Sequence, residues 1–333
     1  MSTETIANEN LCLRVLKVIK RIIKHIWMEY SIIVVAVLLF VIAGIFTPRF
    51  ISIPNILLIL RQASIIGVIA MGMTYVIITG NIDLSSGHVV AVSGAILIFL
   101  QGNPDVPLIF AILACFAVGT VIGALNGIIV TKLRVPAFIV TLAIGIMVRS
   151  AALYLVRGMA LTGERVPEFT GIYTGNTWFI PNPLLIWLVL AFLLGGALRY
   201  TKFGSYIYAV GGNDTAARYT GISANKVKIL AFTITGFCAG LAALLDFSRN
   251  AAISVTGAGH MYEFDAITAV VIGGTALSGG RGRILNTFFG VIIISTVSNL
   301  MIMFGISPYL AGLVNGLIIM LAVLLQRREK TSL

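Results

Sequence analysis

The stretch Tyr200-Thr-Lys-Phe-Gly-Ser-Tyr-Ile-Tyr-Ala-Val-Gly-Gly-Asn-Asp-Thr-Ala-Ala-Arg-Tyr-Thr-Gly-Ile-Ser-Ala-Asn-Lys-Val-Lys228 is a polar island. On either side lie apolar segments, 183–198 and 228–247, long enough to cross a bilayer. A loop joining two spans needs only a few residues, so a long connection with its own glycine punctuation and an Ala-rich helical turn reads as a functional surface. Asn213 or Asp214 is placed to cap a short helix running through Arg218. Ala216 and Ala217 keep that helix slim, and Gly221 ends it. The island therefore reads as a docking surface for a soluble partner.

Outward from the island the chain is a membrane protein. Of its 333 residues 59% are hydrophobic and 11% charged, with a mean hydropathy of +1.03, where a soluble domain carries about a quarter charged residues. Backbone amides in lipid must be paired within their own segment, and the apolar stretches are continuous rather than alternating, so helices are expected and a barrel is not. The expected fold is an all-α polytopic bundle of about ten transmembrane helices, near 30–46, 55–79, 87–101, 107–130, 136–156, 183–198, 228–247, 265–277, 284–304 and 308–325.

The formal charge of +11 follows this topology. With the N-terminus inside, most of the basic residues, including Arg14, Lys132, Arg134, Lys202, Arg218, Lys228, Arg281, Arg283 and Arg327, fall on one face, so both termini are expected in the cytoplasm. The expected division is a cytoplasmic segment 1–29, a single membrane domain 30–326 containing the cytoplasmic loop 199–228, and a cytoplasmic tail 327–333. Residues 11–28 alternate basic and apolar positions at helical spacing, which suits a helix lying on anionic membrane lipid. No basic stripe on a soluble face points to nucleic acid.

Several chemistries are excluded by what is missing. There is no Gly-Lys-Ser or Gly-Lys-Thr to cradle a phosphate, so any ATP use belongs to a partner. No Gly-x-Ser-x-Gly elbow is present. Cys12, Cys115 and Cys238 are scattered, as are His25, His88 and His260, so neither a disulfide framework nor a metal site follows.

Two further stretches carry polar chemistry inside apolar surroundings. In Val76-Ile77-Ile78-Thr79-Gly80-Asn81-Ile82-Asp83-Leu84-Ser85-Ser86-Gly87 a carboxylate lies between two spans. It is costly in lipid and should face protein, water or a cavity. Two readings stand: Asp83 caps the following helix, or Thr79, Asn81, Asp83 and Ser85 line a pathway or gate at a helix break. The other stretch runs from Glu263 and Asp265 through Gly273-Gly274 to Arg281 and Arg283. Its glycines allow close packing, sharp turns or a gate. Val76-Ile77-Ile78-Thr79-Gly80 is echoed by Val270-Val271-Ile272-Gly273-Gly274, which hints at an internal duplication of the kind transporters carry.

Taken in order, the Thr79–Ser85 motif, the island from Thr201-Lys202-Phe203-Gly204 to Gly221-Ile222, and Tyr262-Glu263-Phe264-Asp265 to Arg283 make the chain resemble a permease subunit of an ATP-binding-cassette sugar importer. The class is that of ribose, xylose and galactosides, and the likeness covers the chain from about residue 30 onward. The family pattern has Gly where this chain has Asn81, and a small or apolar residue at Ser86.

The resemblance implies a non-catalytic, multi-pass subunit of the bacterial inner membrane. It would pair with a second copy or a related permease, be driven by cytoplasmic ATPase subunits that bind ATP and magnesium, and receive solute from a periplasmic binding protein. It assigns Gly211, Gly212, Asn213, Asp214, Ala216, Ala217, Arg218 and Gly221 to a coupling helix seated in the ATPase. The outer loops 156–182 and 249–265 would receive the binding protein, with Arg157, Arg165, Glu168, Arg249, Glu263 and Asp265 as docking charges. The competing expectation is an ion-coupled secondary transporter in which Asp83 carries the coupling ion.

Overall fold

The computed structural model describes residues 32–307 together with residues 310, 312–314, 316, 317 and 320. The segment 1–29, with its expected helix over 11–28, and the tail 327–333 lie outside the described residues, as does part of the expected span over 308–325.

The described chain is a helical bundle. Its elements are α1 (Ile32–Phe46), a 3-10 turn (Pro48–Ile51), α2 (Ile53–Ile78), α3 (Ser86–Gln101), α4 (Leu108–Lys132), α5 (Ala137–Leu155), β1 (Leu161–Thr162), α6 (Pro167–Thr174), β2 (Asn176–Thr177), β3 (Ile180–Pro181), α7 (Asn182–Tyr200), α8 (Lys202–Gly212), α9 (Asp214–Tyr219), α10 (Ala224–Ser248), β4 (Ala252–Ile253), α11 (Tyr262–Ile272) and α12 (Ile284–Met303). Six helices, α2, α4, α5, α7, α10 and α12, are long and apolar enough to cross a membrane, and α1 and α3 are shorter apolar helices. Prolines set several starts: Pro54 and Pro183 lie in the first turns of α2 and α7, and Pro107 and Pro136 are the N-caps of α4 and α5. Their missing N–H is a group a first turn leaves unpaired anyway.

One expected span is different. Over 265–277 the helix begins earlier, at Tyr262, and stops at Ile272 after 11 residues. At 1.5 Å per residue that is about 16 Å, half of a bilayer core. Gly273 ends it and Gly274 turns the chain away with φ +80°.

The core runs along α2. Every residue from 67 to 79 is buried, as expected of a helix that is apolar all round. Beside it, α4 and α10 cross with their backbones touching. A Cβ on Gly119 would sit 2.3 Å from the Gly236 carbonyl, and one on Gly123 would sit 2.3 Å from that of Phe232. Small residues at four-residue spacing permit this approach, which supplies packing where lipid supplies no hydrophobic drive. Trp187 of α7 fills a notch over Gly67 of α2 and stacks on Phe288 of α12 at 4.1 Å.

The two ends of the bundle are unlike. At one, β1 pairs antiparallel with β4, Leu161 opposite Ile253, and β2 pairs with β3. Arg61 of α2 reaches this end, donating to the Tyr173 carbonyl and, at 2.7 Å, to Asn176 Oδ1. At the other end lie α8, α9, the connection 79–85 and the loop 273–283.

Candidate functional site

The polar island folds into two short helices joined by a single extended residue. Thr201 caps α8, its Oγ1 accepting from the Gly204 N–H at 3.2 Å. Asn213 caps α9, its Oδ1 accepting from the Ala216 N–H at 2.9 Å. Of the two candidate caps, then, Asn213 takes the role and Asp214 does something else. Its carboxylate accepts from Arg218 Nε and from Lys228 Nζ, both at 2.7 Å, and so ties α9 to the first turns of α10. Arg218 also donates to Asn225 Oδ1 at 2.7 Å. Burial alone would push the Asp214 carboxyl up, but the hydrogen bonds and charges of Arg218 and Lys228 outweigh it and hold the group below the ordinary carboxylate range.

The end of α9 follows from Gly221. With φ +84° it lets its own N–H bond the Arg218 carbonyl while the Ile222 N–H bonds that of Ala217, the paired closure of a Schellman turn. Only Ala217 of α9 is buried, Asp214 being half-buried. Gly212, Asn213, Ala216, Arg218, Tyr219 and Gly221 are exposed, so α9 is a small knob standing off the bundle.

Beneath the knob three backbone segments meet without side chains between them. The Gly280 N–H donates to the Ile78 carbonyl at 2.9 Å. A Cβ on Gly211 would fall 1.7 Å from that same carbonyl oxygen and 2.6 Å from the Gly280 nitrogen. Gly279, at φ +84°, leaves room for the Gly211 carbonyl and the Gly80 nitrogen. Tyr208 of α8 donates to the Gly282 carbonyl at 2.7 Å. The base of the island thus rests directly on the end of α2 and on the loop between α11 and α12.

The echo between 76–80 and 270–274 has a geometric cause. Gly80 and Asn81 donate to Ile77 and Val76 as Gly274 and Thr275 donate to Val271 and Val270, so both helices close in the same Schellman turn.

Within the connection 79–85, Thr79 bonds the Val76 carbonyl and Asn81 bonds Thr79. Asp83, 1% exposed, accepts from the Ser85 N–H at 2.8 Å and the Ser85 hydroxyl at 2.6 Å. Asn126 of α4 donates to that hydroxyl, and Thr141 of α5 accepts from the Leu84 N–H. Asp83 thus folds back on Ser85, the residue just before α3, in an Asx-type turn, and no side-chain hydrogen bond caps α3 itself. Asn126 and Thr141 drew no notice in the sequence, where single hydroxyls and amides in apolar spans carry no pattern. Between this connection and the knob opens a cleft of about 490 Å³, walled by Asn81, Thr131, Arg134, Asp214, Arg218, Asn225 and Lys228. Gly273 is buried against the first turn of α12 and Gly274 is exposed.

At the opposite end Arg157, Arg165, Glu168 and Arg249 are exposed, Arg249 lying over the Tyr173 ring at 5.8 Å. Glu263 and Asp265 are not with them. Glu263 is 7% exposed with its carboxylate against Gly87, and Asp265 is half-buried on α11. Glu263 therefore offers no free charge to a soluble partner, because the loop before α11 carries it down against α3.

Comparison with known proteins adds the relatives. The ribose import permease protein RbsC of Bacillus subtilis is 40% identical over 294 residues, 88% of this chain and 90% of its own. That of Escherichia coli K12 is 37% identical over 306 residues, covering 91% and 95% of the two chains. The L-arabinose transport system permease protein AraH of the same strain is 34% identical over 314 residues, 92% and 93%. No solved structure matches. The family model described as branched-chain amino acid transport system / permease component matches residues 55–323, and the chain belongs to that family.

Proposed function

We propose that this chain is the pathway-forming permease subunit of an ATP-driven sugar importer. The names of its relatives support ribose, arabinose or a similar small polar solute as cargo. The observation that carries the reading is the α9 knob, exposed on the outside and joined at its base, backbone to backbone, with the end of α2 and the 273–283 loop. A partner gripping the knob moves both together.

In this reading about ten helices span the bacterial inner membrane, with both termini and the knob on the cytoplasmic side, as the distribution of Lys and Arg supports. Cytoplasmic ATPase subunits holding ATP and magnesium bind Gly211 to Gly221. A second permease copy or a related one completes the pathway, and a periplasmic binding protein docks on the β-ribbon end near Arg157, Arg165, Glu168 and Arg249. Alternating access follows: closure of the ATPases drives the knob, and the 79–85 connection and Gly273-Gly274 turn shift with it. No hydrolytic chemistry is asked of this chain. An ion-coupled mechanism through Asp83 has less support, since that carboxylate is engaged with Ser85.

The test is co-elution of the purified chain in nanodiscs with sugar-importer ATPase subunits, read with ATP hydrolysis. Gly212→Arg with Ala216→Glu places bulk and charge on exposed positions of the knob. Association by the intact chain and its loss in the double variant is expected. Failure of the intact chain to associate, with ion-gradient uptake by the chain alone, would overturn the reading.

A further inference from the structure

A second polar constellation lies deep in the bundle, away from the knob. Arg149 is twelve residues into α5, about 18 Å along it. It donates to the Ala258 carbonyl, and its Nε is buried with no hydrogen-bond partner. His88, in the first turn of α3, packs over Gly145 of α5 with the Leu84 backbone beside it. Glu263 opens α11; its Oε2 sits where a Cβ on Gly87 would come within 2.0 Å, and it too has no partner among the described residues. Arg149 and Glu263 are within electrostatic reach of each other, with His260 and Asp83 near Glu263. Phe264, next to Glu263 in the first turn of α11, is 37% exposed.

Two facts make this more than an internal ion pair. Arg149 and His88 are only half-buried, so part of each reaches the surface of the single chain at membrane depth. Lipid is a costly neighbour for a guanidinium, so that surface fronts a watery route or another protein. Moreover, the Glu263 carboxylate and the Arg149 guanidinium each keep a hydrogen-bonding atom without a partner among the described residues, a poor arrangement for a core and a suitable one for a ligand rich in hydroxyls.

We infer that Phe264, Glu263, Arg149 and His88 form the place where a polyhydroxylated, uncharged solute is held in transit. Glu263 accepts from hydroxyls, Arg149 and His88 donate or accept, and the Phe264 ring covers the C–H face of the solute. The inference rests on the importer reading and names the residues that touch its cargo.

The test has two arms. In a background lacking Cys12, Cys115 and Cys238, Phe264→Cys is exposed to a charged methanethiosulfonate reagent beside Leu193→Cys, from the exposed apolar face of α7. Charged reagents react in water and not in lipid, so Phe264→Cys should react about tenfold faster or more. Equal rates would overturn the site. In the reconstituted transporter, Glu263→Gln and Phe264→Leu are compared for uptake of whichever of D-ribose and L-arabinose the intact complex takes up faster. Each should lower kcat/KM about tenfold while the ATPase still co-elutes. Co-elution with uptake untouched in both variants would overturn the site alone. Failure of the intact chain to bind any ATPase would overturn the importer reading and the site with it.

Discussion

Gly211→Ala is the sharpest single perturbation of the coupling base. The new methyl carbon would fall 1.7 Å from the Ile78 carbonyl oxygen and 2.6 Å from the Gly280 nitrogen, both backbone atoms with no rotamer to escape into. A relaxed contact needs about 3.5 Å, so the segments have to part by about 1.8 Å. That separation breaks the Gly280 N–H to Ile78 hydrogen bond, about 0.5–1.5 kcal/mol, and adds about 1–3 kcal/mol of overpacking strain, together about 1.5–4.5 kcal/mol. The neighbouring Gly212→Ala meets nothing within 4 Å and is the matched control. The assay is paired: apparent melting temperature of the purified chain, and solute uptake per ATP hydrolysed in the reconstituted complex. Gly211→Ala should lower the first by about 5 °C or more and the second several-fold, while Gly212→Ala, compared on melting temperature alone because that position faces the partner, should leave the first unchanged. Equal behaviour of the two variants would refute the claim that the knob acts through backbone contact at Gly211.

Asn213→Ala removes the cap of α9 and should cost about 1 kcal/mol locally, seen as faster amide exchange at Ala216 than in the intact chain, with Asn213→Ser restoring most of it. Asp214→Asn cuts the tie to Arg218 and Lys228; because these groups are partly exposed the loss should be only about 0.2–1 kcal/mol, read as weaker ATPase binding rather than unfolding. Since the Asp214 carboxyl is held below its ordinary range, its contribution is complete above the unfolded-chain value and lost as pH falls through the lower folded value. Coupling should therefore be flat from about pH 5 to 8 on this account and loosen only below about pH 4, a dependence absent in Asp214→Asn. Gly236→Ala would press a methyl to 2.2 Å from the Gly119 carbonyl and should lower the yield of folded protein, while Gly196→Ala, with nothing within 4 Å, should not.

What was legible in the sequence was whatever repeats at short range. Apolar runs gave the helices, and the Asn213, Ala216-Ala217 and Gly221 spacing gave α9 with its cap and stop. Asp83 was recognisable as either a cap or a gate; its own bonds are to Ser85 two residues on, and what the sequence does not show is that Asn126 of α4 holds that same Ser85 hydroxyl. Glu263 and Asp265 looked like loop charges because a half-length helix has no sequence signature distinct from a short span. Arg149 in α5 and His88 in α3 lie 61 residues apart, so nothing in periodicity brings them to the first turn of α11.

The Schellman turns that close α2, α9 and α11 bear on how the knob end of the bundle accommodates movement. α2, α9 and α11 all close on a glycine of positive φ, which satisfies the last carbonyls within the turn itself. A helix that finishes its own hydrogen bonding needs no neighbour to do so, and its end can be shifted as a unit without exposing unpaired backbone in the membrane. What joins the units is one backbone hydrogen bond and close glycine contacts around Ile78, Gly211 and Gly280. Such contacts resist compression steeply, and against separation the base is held by that bond, by the Tyr208 hydroxyl on Gly282 and by the stack of Phe203 of α8 on Tyr75 of α2. On the proposed coupling, Tyr208 is the side chain whose loss most directly loosens the knob from the 273–283 loop. Tyr208→Phe accordingly should slow the return step, seen as a lower uptake rate at saturating ATP with unchanged ATPase affinity; a matching loss of affinity would show instead that Tyr208 only supports the shape of the knob.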